Sequence, residues 1–503
     1  MQPCLVRELS VAELLPAATH LLTDLGPESK AHGRMQMAYA RETTEGELEV
    51  LYVLSQGACE PYMVWRVRPE QSSLPSLAQM IPLLGWYERE MQDLYGLTFT
   101  DSPDIRALVL HEGAAPALPP MLRDYPAQIH MPFRSLPPEL PKVIGPEIQR
   151  LPFGPVRADV LESAQFLFFY IGEGILHYEP RLFYKHRGME KRFQGLSPKQ
   201  GVVIAERVSG VDSVAHALAF CQACEAALGW RPPARARALR VILAELERIY
   251  NHLHYFAYLA KTTTLKVASA EGMLLEERVK QMNARLTGSR FLRSVITVGG
   301  LRRDLDLSCV DAELSDLERE IEAYLQRMEA TRSHLDRLIT TGILERQVAF
   351  DQGACGPVER ASGLDRDLRR DHPYAAYDRL RFDIQVATAG DAHARAQVRA
   401  GEIGEALACI HQAIAHLKPG PVWRGAVMEA SDPAGEGLGW VEGTRGGLFY
   451  AVQLADGMLT RVKIKEPSFS NWRVFPFTVQ DSNMMDYAIN EASFGLAIAG
   501  VDR

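Results

Sequence analysis

The sequence predicts an α+β protein: a small N-terminal α/β domain, residues 1–135, fused to a large helical-bundle domain with a peripheral β-sheet, residues 136–503. Three observations predict it. Strand-like runs stand beside one amphipathic helical stretch within the first ~110 residues. Prolines crowd residues 116–155. Long stretches with apolar residues at helical spacing fill the middle of the chain, and strands return near its end.

In order, Leu48–Ser55 and Tyr62–Val67 read as strands, rich in Val, Leu, Tyr and Trp. Ser76–Gly96 reads as a helix with Leu77, Ile81, Leu84, Tyr87, Met91 and Leu94 on one side, closed by Gly96 as a C-cap. Proline fixes φ and donates no hydrogen bond, so residues 116–155 read as an extended connector, with the domain boundary near 135. Phe166–Tyr170 and Gly174–Tyr178 then form a hairpin-like pair. Arg237–Ala260 and Asp311–Ile339 carry apolar residues at helical spacing. Leu448–Leu454 and Leu459–Ile464 return to strand, before an apolar tail.

The 503 residues weigh 56.1 kDa, with 47% hydrophobic and 23% charged residues, which excludes a disordered or fibrous chain. The net charge of −8 argues against general nucleic-acid binding, which needs many cations against phosphates. No apolar run reaches the roughly 18 residues of a membrane span. The start reads as lacking a signal peptide. Seven scattered cysteines give no disulfide framework, so a reducing, cytoplasmic setting is expected.

Several strings carry candidate chemistry. WYEREMQDLYGLTF (86–99) puts Glu88, Arg89, Glu90 and Asp93 on an aromatic-rich helix; read alone, it is a packed helix with a solvated face. YKHRGMEK (184–191) gathers His186, Arg187, Glu190 and Lys191 around a glycine, where a Glu and an Arg near a buried centre pass protons and orient an acceptor. Its plain alternative is a helix start with its charges in water. RVSGVDSVAH (207–216) precedes an apolar helix, in which His216 alone reads as a core histidine. Cys221 and Cys224 form a CxxC with no second pair at metal-site spacing, and read as half-buried thiols. ELERIYNH (245–252) and ARLTGSR (284–290) place polar groups on buried helices, explained by internal ion pairs. No glycine loop matches a nucleotide site.

Taken in order, these strings resemble one family across nearly the whole chain. WYEREMQDLYGLTF, PDIR (103–106) and LRDYP (122–126) resemble the 30-kDa-type subunit of respiratory complex I. From about Pro152 onward the chain resembles the 49-kDa-type subunit of complex I and the large subunit of membrane-bound group 4 nickel–iron hydrogenases. The strings are LFYKHRGMEK, ELERIYNH, ARLTGSR, GGLRRDL, FDIQVATAGDAHAR, RGGLFY, KIKEPSF and ASFGLAIAGVDR. LFYKHRGMEK and GGLRRDL are closer to the hydrogenase-4/formate-hydrogenlyase branch, in which the two subunits are similarly fused. A hydrogenase large-subunit-like fold is implied for the second domain.

The departures bear on function. The hydrogenases hold nickel and iron with two CxxC pairs, the first in a string like RVCGICGxAH. Here Ser209 and Asp212 stand at those two positions, and Ala497 and Gly500 at the second pair. A hydroxyl, a carboxylate, a methyl and a hydrogen do not supply four thiolates, so no nickel–iron centre and no hydrogenase activity are expected. Ending at Arg503, the chain is expected to need no removal of a tail. In complex I the quinone meets a histidine in a GPQHPxxHG loop and a tyrosine in a DRLDYVS string. Here Arg157 and Gly210 stand near those places.

The resemblance thus implies a subunit of a membrane-bound, ion-translocating oxidoreductase related to NADH–quinone oxidoreductase, without its own metal, coupling electron transfer to proton movement. The candidate proton or acceptor cavity comprises Arg187, Glu190, Asp212 and His216, with Arg157, His186 and Ser209 beside them. Glu190 and Asp212 are the expected proton carriers, with Arg187 and Arg157 setting their pKa values. The implied partners are a small iron–sulfur subunit on the face carrying His186–Lys191, and antiporter-like membrane subunits, at the cytoplasmic face of the inner (plasma) membrane. No cofactor is expected on this chain; an iron–sulfur cluster is expected in the partner, and a quinone is a candidate ligand. The alternatives are a quinone-reducing subunit with a rearranged head-group site, or a non-catalytic scaffold.

Overall fold

Apolar residues, with Val, Tyr and Trp concentrated in β3 and β4, build the first sheet from β1 (Leu5–Leu9), β2 (Arg34–Glu42), β3 (Leu48–Ser55) and β4 (Met63–Val67), with helix α1 (Val11–Asp24) after β1. The computed structural model describes residues 4–24, 33–43, 45–114, 116–126, 128, 131–134, 136, 142–143, 145–157, 162–425 and 434–503. The strand order is β1-β4-β3-β2, with β1 parallel to β4 and the other pairs antiparallel. β2 and β3 are buried along almost their whole length, so both faces of the sheet are covered. The larger unit supplies part of that cover. Arg34 Nη1 donates to the Ala354 carbonyl at 2.8 Å, and Lys465 Nζ donates to Gln36 at 3.3 Å.

A short parallel pair, β5 (Ser73–Pro75) and β6 (Thr98–Thr100), flanks helix α2 (Gly85–Tyr95). The helix expected over 76–96 is therefore shorter. Pro82 opens a single 3₁₀ turn, and the Glu88 carboxylate accepts from Ser76 Oγ at 2.6 Å and Leu77 N–H at 2.8 Å, holding the segment before it as a turn. Gly96 closes α2 in the left-handed conformation, as expected. Residue 135 and residues 137–141 lie outside the described residues, and with them the expected boundary.

β7 (Gln149–Phe153), β8 (Gln165–Ile171) and β9 (Gly174–Arg181) form an antiparallel sheet in that order. The hairpin was legible, but β7 falls in the stretch read as a proline-rich connector. It is an edge strand, where Pro152 removes no needed ladder bond.

The middle of the chain is helical: α3 (Met189–Arg192), α4 (Pro198–Ala205), α5 (Ser213–Leu228), α6 (Ala234–Thr262), α7 (Lys266–Thr287) and, after the two-residue strands β10 (Ile296–Thr297) and β11 (Gly300–Leu301), α8 (Val310–Glu329). The helix expected over 311–339 breaks at Ala330 and resumes at Arg332–Leu338. A last antiparallel sheet, β12 (Gly435–Gly443), β13 (Gly446–Ala455) and β14 (Met458–Lys465), precedes four short helices, Pro467–Val474, Pro476–Val479, Tyr487–Phe494 and Ile498–Asp502. Several small sheets around a helical body give the predicted α+β class. Among the described residues, no helix is long and apolar enough to cross a membrane.

α5 is largely apolar and buried on all sides over Ser213–Glu225, and sits at the centre. β12 lies directly against its backbone. A Cβ on Gly435, Gly437 or Gly439 would stand 2.3, 2.0 or 2.1 Å from the carbonyl oxygen of Ala227, Ala223 or Ala219. Two strand residues rise about 6.8 Å and four helix residues about 6.0 Å, so every second glycine meets every fourth alanine. This contact fixes the N-terminus of α5, where the candidate residues lie.

Candidate functional site

Asp212 takes the N-cap position of α5, but its side chain makes no capping bond. Glu247 of α6 does that work. Its Oε1 accepts the Val214 N–H and its Oε2 the Ala215 N–H, both at 2.8 Å, and Tyr250 donates to it at 3.3 Å. Asp212 is thereby released into the site. Its Oδ2 meets Arg445 Nη1 at 3.2 Å, and Oδ1 has no partner among the described residues. The buried Ser209 Oγ and His216 Nε2, on either side of it along the chain, are also unpartnered among those residues. His216 Nδ1 shares a 2.7 Å hydrogen bond with the Tyr450 hydroxyl, and burial lowers the imidazole to about 4, so it is neutral at pH 7.

The C-terminal string comes to the same place. Arg187 Nη2 donates to the carbonyls of Val208 at 2.6 Å and Ala499 at 2.9 Å, and Nη1 to that of Arg207 at 3.1 Å. Arg187 therefore clamps the two segments that carry Ser209 and Asp212 on one side and Ala497 and Gly500 on the other. Between them stands Glu466, fully buried at the end of β14. Its carboxyl accepts from the Ser468 N–H and, at 3.2 Å, from Ser468 Oγ. A Cβ on Gly500 would lie 2.4 Å from Glu466 Cδ, so this carboxyl fills the space that a side chain at 500 would take. Burial, then the charge of Asp212, push Glu466 up to about 8, against the pull of Arg445. The same two causes push Glu247 up, against its two backbone N–H bonds.

Glu190 has the opposite setting. Arg461 Nη2 lies at 2.9 Å, Lys463 Nζ at 3.2 Å and Arg503 Nη1 at 3.3 Å, and the Ile464 N–H donates at 3.1 Å. Burial alone would raise its pKa; Lys463, Arg461 and Arg503 overcome this and hold it at about 2. Expected as a proton carrier, Glu190 is a fixed anion in this structure. Glu90 of α2 completes the cluster, 2.7 Å from Lys463 and 3.0 Å from Arg503. The helix read as having a solvated face thus buries both Glu88, bonded within its own unit, and Glu90, paired with the larger unit.

His186 Nδ1 bonds the Asp502 carbonyl at 2.6 Å, behind this cluster. Arg157 makes its contacts elsewhere, 3.4 Å from Glu491 and over the rings of Phe166 and Phe153; residues 158–161, next along the loop, lie outside the described residues. Cys221 and Cys224 are fully buried on α5, which raises both thiols well above their usual range. Among the described residues no group of three or more His, Cys, Asp or Glu is arranged to hold a metal.

Of the expected residues, the structure brings Ser209, Asp212, His216 and Arg187 together, sets Glu190 and His186 in an adjoining ionic cluster, and leaves Arg157 apart. It adds Glu247, Glu466, Arg445 and Tyr450. The last three lie in RGGLFY and KIKEPSF, where the proline after Glu466 was a readable helix-start signal.

Residues 9–130 match the family described as the 30 Kd subunit of respiratory-chain NADH dehydrogenase, and residues 270–431 and 424–503 match its 49 Kd subunit. Residues 187–331 also match nickel-dependent hydrogenase. NADH-quinone oxidoreductase subunit 4 of Thermus thermophilus is 30% identical over 400 residues, 73% of this chain and 97% of that one. The chain belongs to the complex I family of fused 30-kDa and 49-kDa subunits. Formate hydrogenlyase subunit 5 of Escherichia coli is 28% identical, covering 91% of this chain and 82% of that one. Hydrogenase-4 component G of the same organism is 29% identical, covering 92% and 82%. The fold of this family member is accordingly of the nickel–iron hydrogenase large-subunit type. Its relatives are subunits of complex I-like and hydrogenase complexes, so it is a subunit of a respiratory-type oxidoreductase complex.

Proposed function

We propose that this chain couples electron transfer to proton movement in a membrane-associated, hydrogenase-4-like or complex I-like assembly, and that a buried proton-holding site stands where its relatives' fold would hold nickel and iron. One observation carries the reading: the carboxyl of Glu466 occupies the side-chain space of residue 500, beside Asp212. The residues present do not fit a nickel–iron pair. Ser209, Asp212, Ala497 and Gly500 offer one hydroxyl and one carboxylate in place of four thiolates. Electrons would pass through an iron–sulfur partner seated near His186–Lys191, and ion movement through membrane subunits below. Within this chain, Glu466 holds and releases a proton, Asp212 pairs with Arg445 beside it, and Arg187 fixes the two backbone segments in place.

The test is purification of the intact complex with nickel and iron analysis, followed by turnover of Asp212→Asn. The expected result is no stoichiometric nickel and a loss of about tenfold or more in turnover with assembly intact. Nickel held by this chain overturns the reading, and unchanged turnover makes the chain a scaffold. A second reading, reduction of a quinone in this cavity, draws on the three unpartnered atoms Ser209 Oγ, Asp212 Oδ1 and His216 Nε2, which match the hydrogen-bonding needs of a head group. Quinone recovered from the wild-type complex and lost in the Asp212→Asn complex would favour it.

A further inference from the structure

We infer that Glu466 is the proton-loading group of this site: a carboxyl that takes up and gives back one proton beside the fixed Asp212–Arg445 ion pair. The inference rests on the proposed reading of the site and names the group that does the work.

Three features of the geometry carry it. First, three fully or nearly fully buried carboxyl groups, Asp212, Glu247 and Glu466, share one neighbourhood, and the guanidinium of Arg445 is within ion-pair distance of Asp212 alone. Among the described residues no cation lies within ion-pair distance of Glu466; its partners are the N–H and hydroxyl of Ser468. Ionising it adds a second buried negative charge with no counter-ion and one backbone N–H bond, from Ser468; Glu247, raised to about 8 as well, has two backbone N–H bonds and lies on the far side of Asp212 as the cap of α5, away from the space left by Gly500. Second, the position is built. The missing side chain at Gly500 makes the room, and any Cβ there would stand against the carboxyl. Third, Ser209 Oγ, Asp212 Oδ1 and His216 Nε2 are more than nine-tenths buried and lack partners among the described residues, so the site presents unfilled hydrogen-bonding positions to whatever brings or removes the proton. The exchange is plain acid–base chemistry. The O–H bond of Glu466 breaks, its proton passes to a water or an acceptor held by those three groups, and the carboxylate left behind takes a proton back.

The groups that act on Glu466 directly are Asp212 from the start of α5 and Arg445 and Tyr450 from β13 and the turn before it; His216, Glu247 and Tyr250 surround Asp212 and Tyr450 in turn. Tyr250 and Tyr450 are held protonated by burial, and His216 is neutral, so Asp212 and Arg445 are the charges that decide.

The experiment is infrared difference spectroscopy of the purified complex between about pH 6 and about pH 10, in H₂O and D₂O, which brackets the value of about 8. The expected result is a protonated-carboxyl C=O component that shifts in D₂O, disappears with a midpoint near 8 and is missing from Glu466→Gln, so that the wild-type-minus-variant difference isolates it, the signals of the other raised carboxyls, Glu247, Glu88, Glu442 and Asp502, remaining in both. Asp212→Asn, which removes the neighbouring negative charge, is expected to move the midpoint down by roughly one unit or more, and serves if Glu466→Gln does not assemble. Carboxyl intensity undiminished in Glu466→Gln, a midpoint unmoved by Asp212→Asn, or no such band in wild type overturns the inference. Nickel content decides the functional reading separately, so each can fail without the other.

Discussion

Tyr450 lies within electrostatic reach of two buried clusters, around Glu190 and around Glu466, and they carry opposite balances of charge. The first sets two carboxylates, Glu90 and Glu190, against Arg461, Lys463 and Arg503. The second sets three carboxyl groups against Arg445. Both are out of water, so burial alone pushes Glu190, Glu466 and Glu247 upward. Cations in excess reverse that push at Glu190 and leave a permanent anion; their scarcity leaves Glu466 protonated at neutral pH. The ionic cluster, built from α2, β14, Glu190 of the YKHRGMEK string and Arg503, ties the N-terminal unit to the body, while the carboxyl cluster is the one proposed to exchange protons.

The strongest way to break this comparison is to remove one acid from each side. Glu190→Gln strands three buried cations with only Glu90 to answer them, and is expected to cost about 3–5 kcal/mol in chemical unfolding. Glu466→Gln replaces a neutral acid with a neutral amide of the same shape and is expected to change stability by about 1 kcal/mol or less. Equal losses would erase the distinction.

A pH series sharpens it, because the two acids act with opposite sign. Glu466 has a folded pKa of about 8, above its unfolded value, so the folded state holds the extra proton. Its contribution is complete below about pH 4.5 and is lost as pH rises toward 8, with a slope of up to about 1.4 kcal/mol per pH unit. Glu190, at about 2, contributes fully above about pH 4.5 and loses that contribution as pH falls toward 2. Unfolding free energies measured across both windows are expected to show the neutral-to-alkaline decline flattened in Glu466→Gln and the acid decline flattened in Glu190→Gln.

Much of this was legible in the residues, and the rest was hidden for identifiable reasons. The fold class, the strands at 48–55 and 63–67 and the β8–β9 hairpin follow from local periodicity. β7 was missed because proline density masks an edge strand. Asp212, Ser209 and His216 stood out because they replace or adjoin expected ligands. Glu247 did not, since ELERIYNH reads as one ion-paired helix. Glu245 does pair with Arg248 at 2.9 Å, but Glu247, two residues on, points about 200° away around α6 and reaches the start of α5. The burial of Glu90 depends on cations more than 370 positions along the chain, which no local pattern of an amphipathic helix contains.

A smaller effect is expected at Gly500. An alanine there puts its Cβ against the Glu466 carboxyl, and overpacking of this kind costs about 1–3 kcal/mol. Adding Glu466→Ala opens the space again, so the double variant should recover part of the loss, a coupling of about 1 kcal/mol between the two positions. Additive losses would mean that the carboxyl moves aside freely and does not define the site.

The smallest expected effect is at Ser209, and its size is informative. The buried hydroxyl has no partner among the described residues, so Ser209→Ala removes a polar group without orphaning another and should change stability by less than about 1 kcal/mol. A purely structural hydroxyl would have no further consequence. One that hydrogen-bonds the proton's carrier would, when removed, leave the unfolding curve unchanged and slow the hydrogen–deuterium exchange of the Glu466 carboxyl. Unchanged stability with slowed exchange places Ser209 on the proton's route; unchanged exchange confines that route to Asp212 and His216.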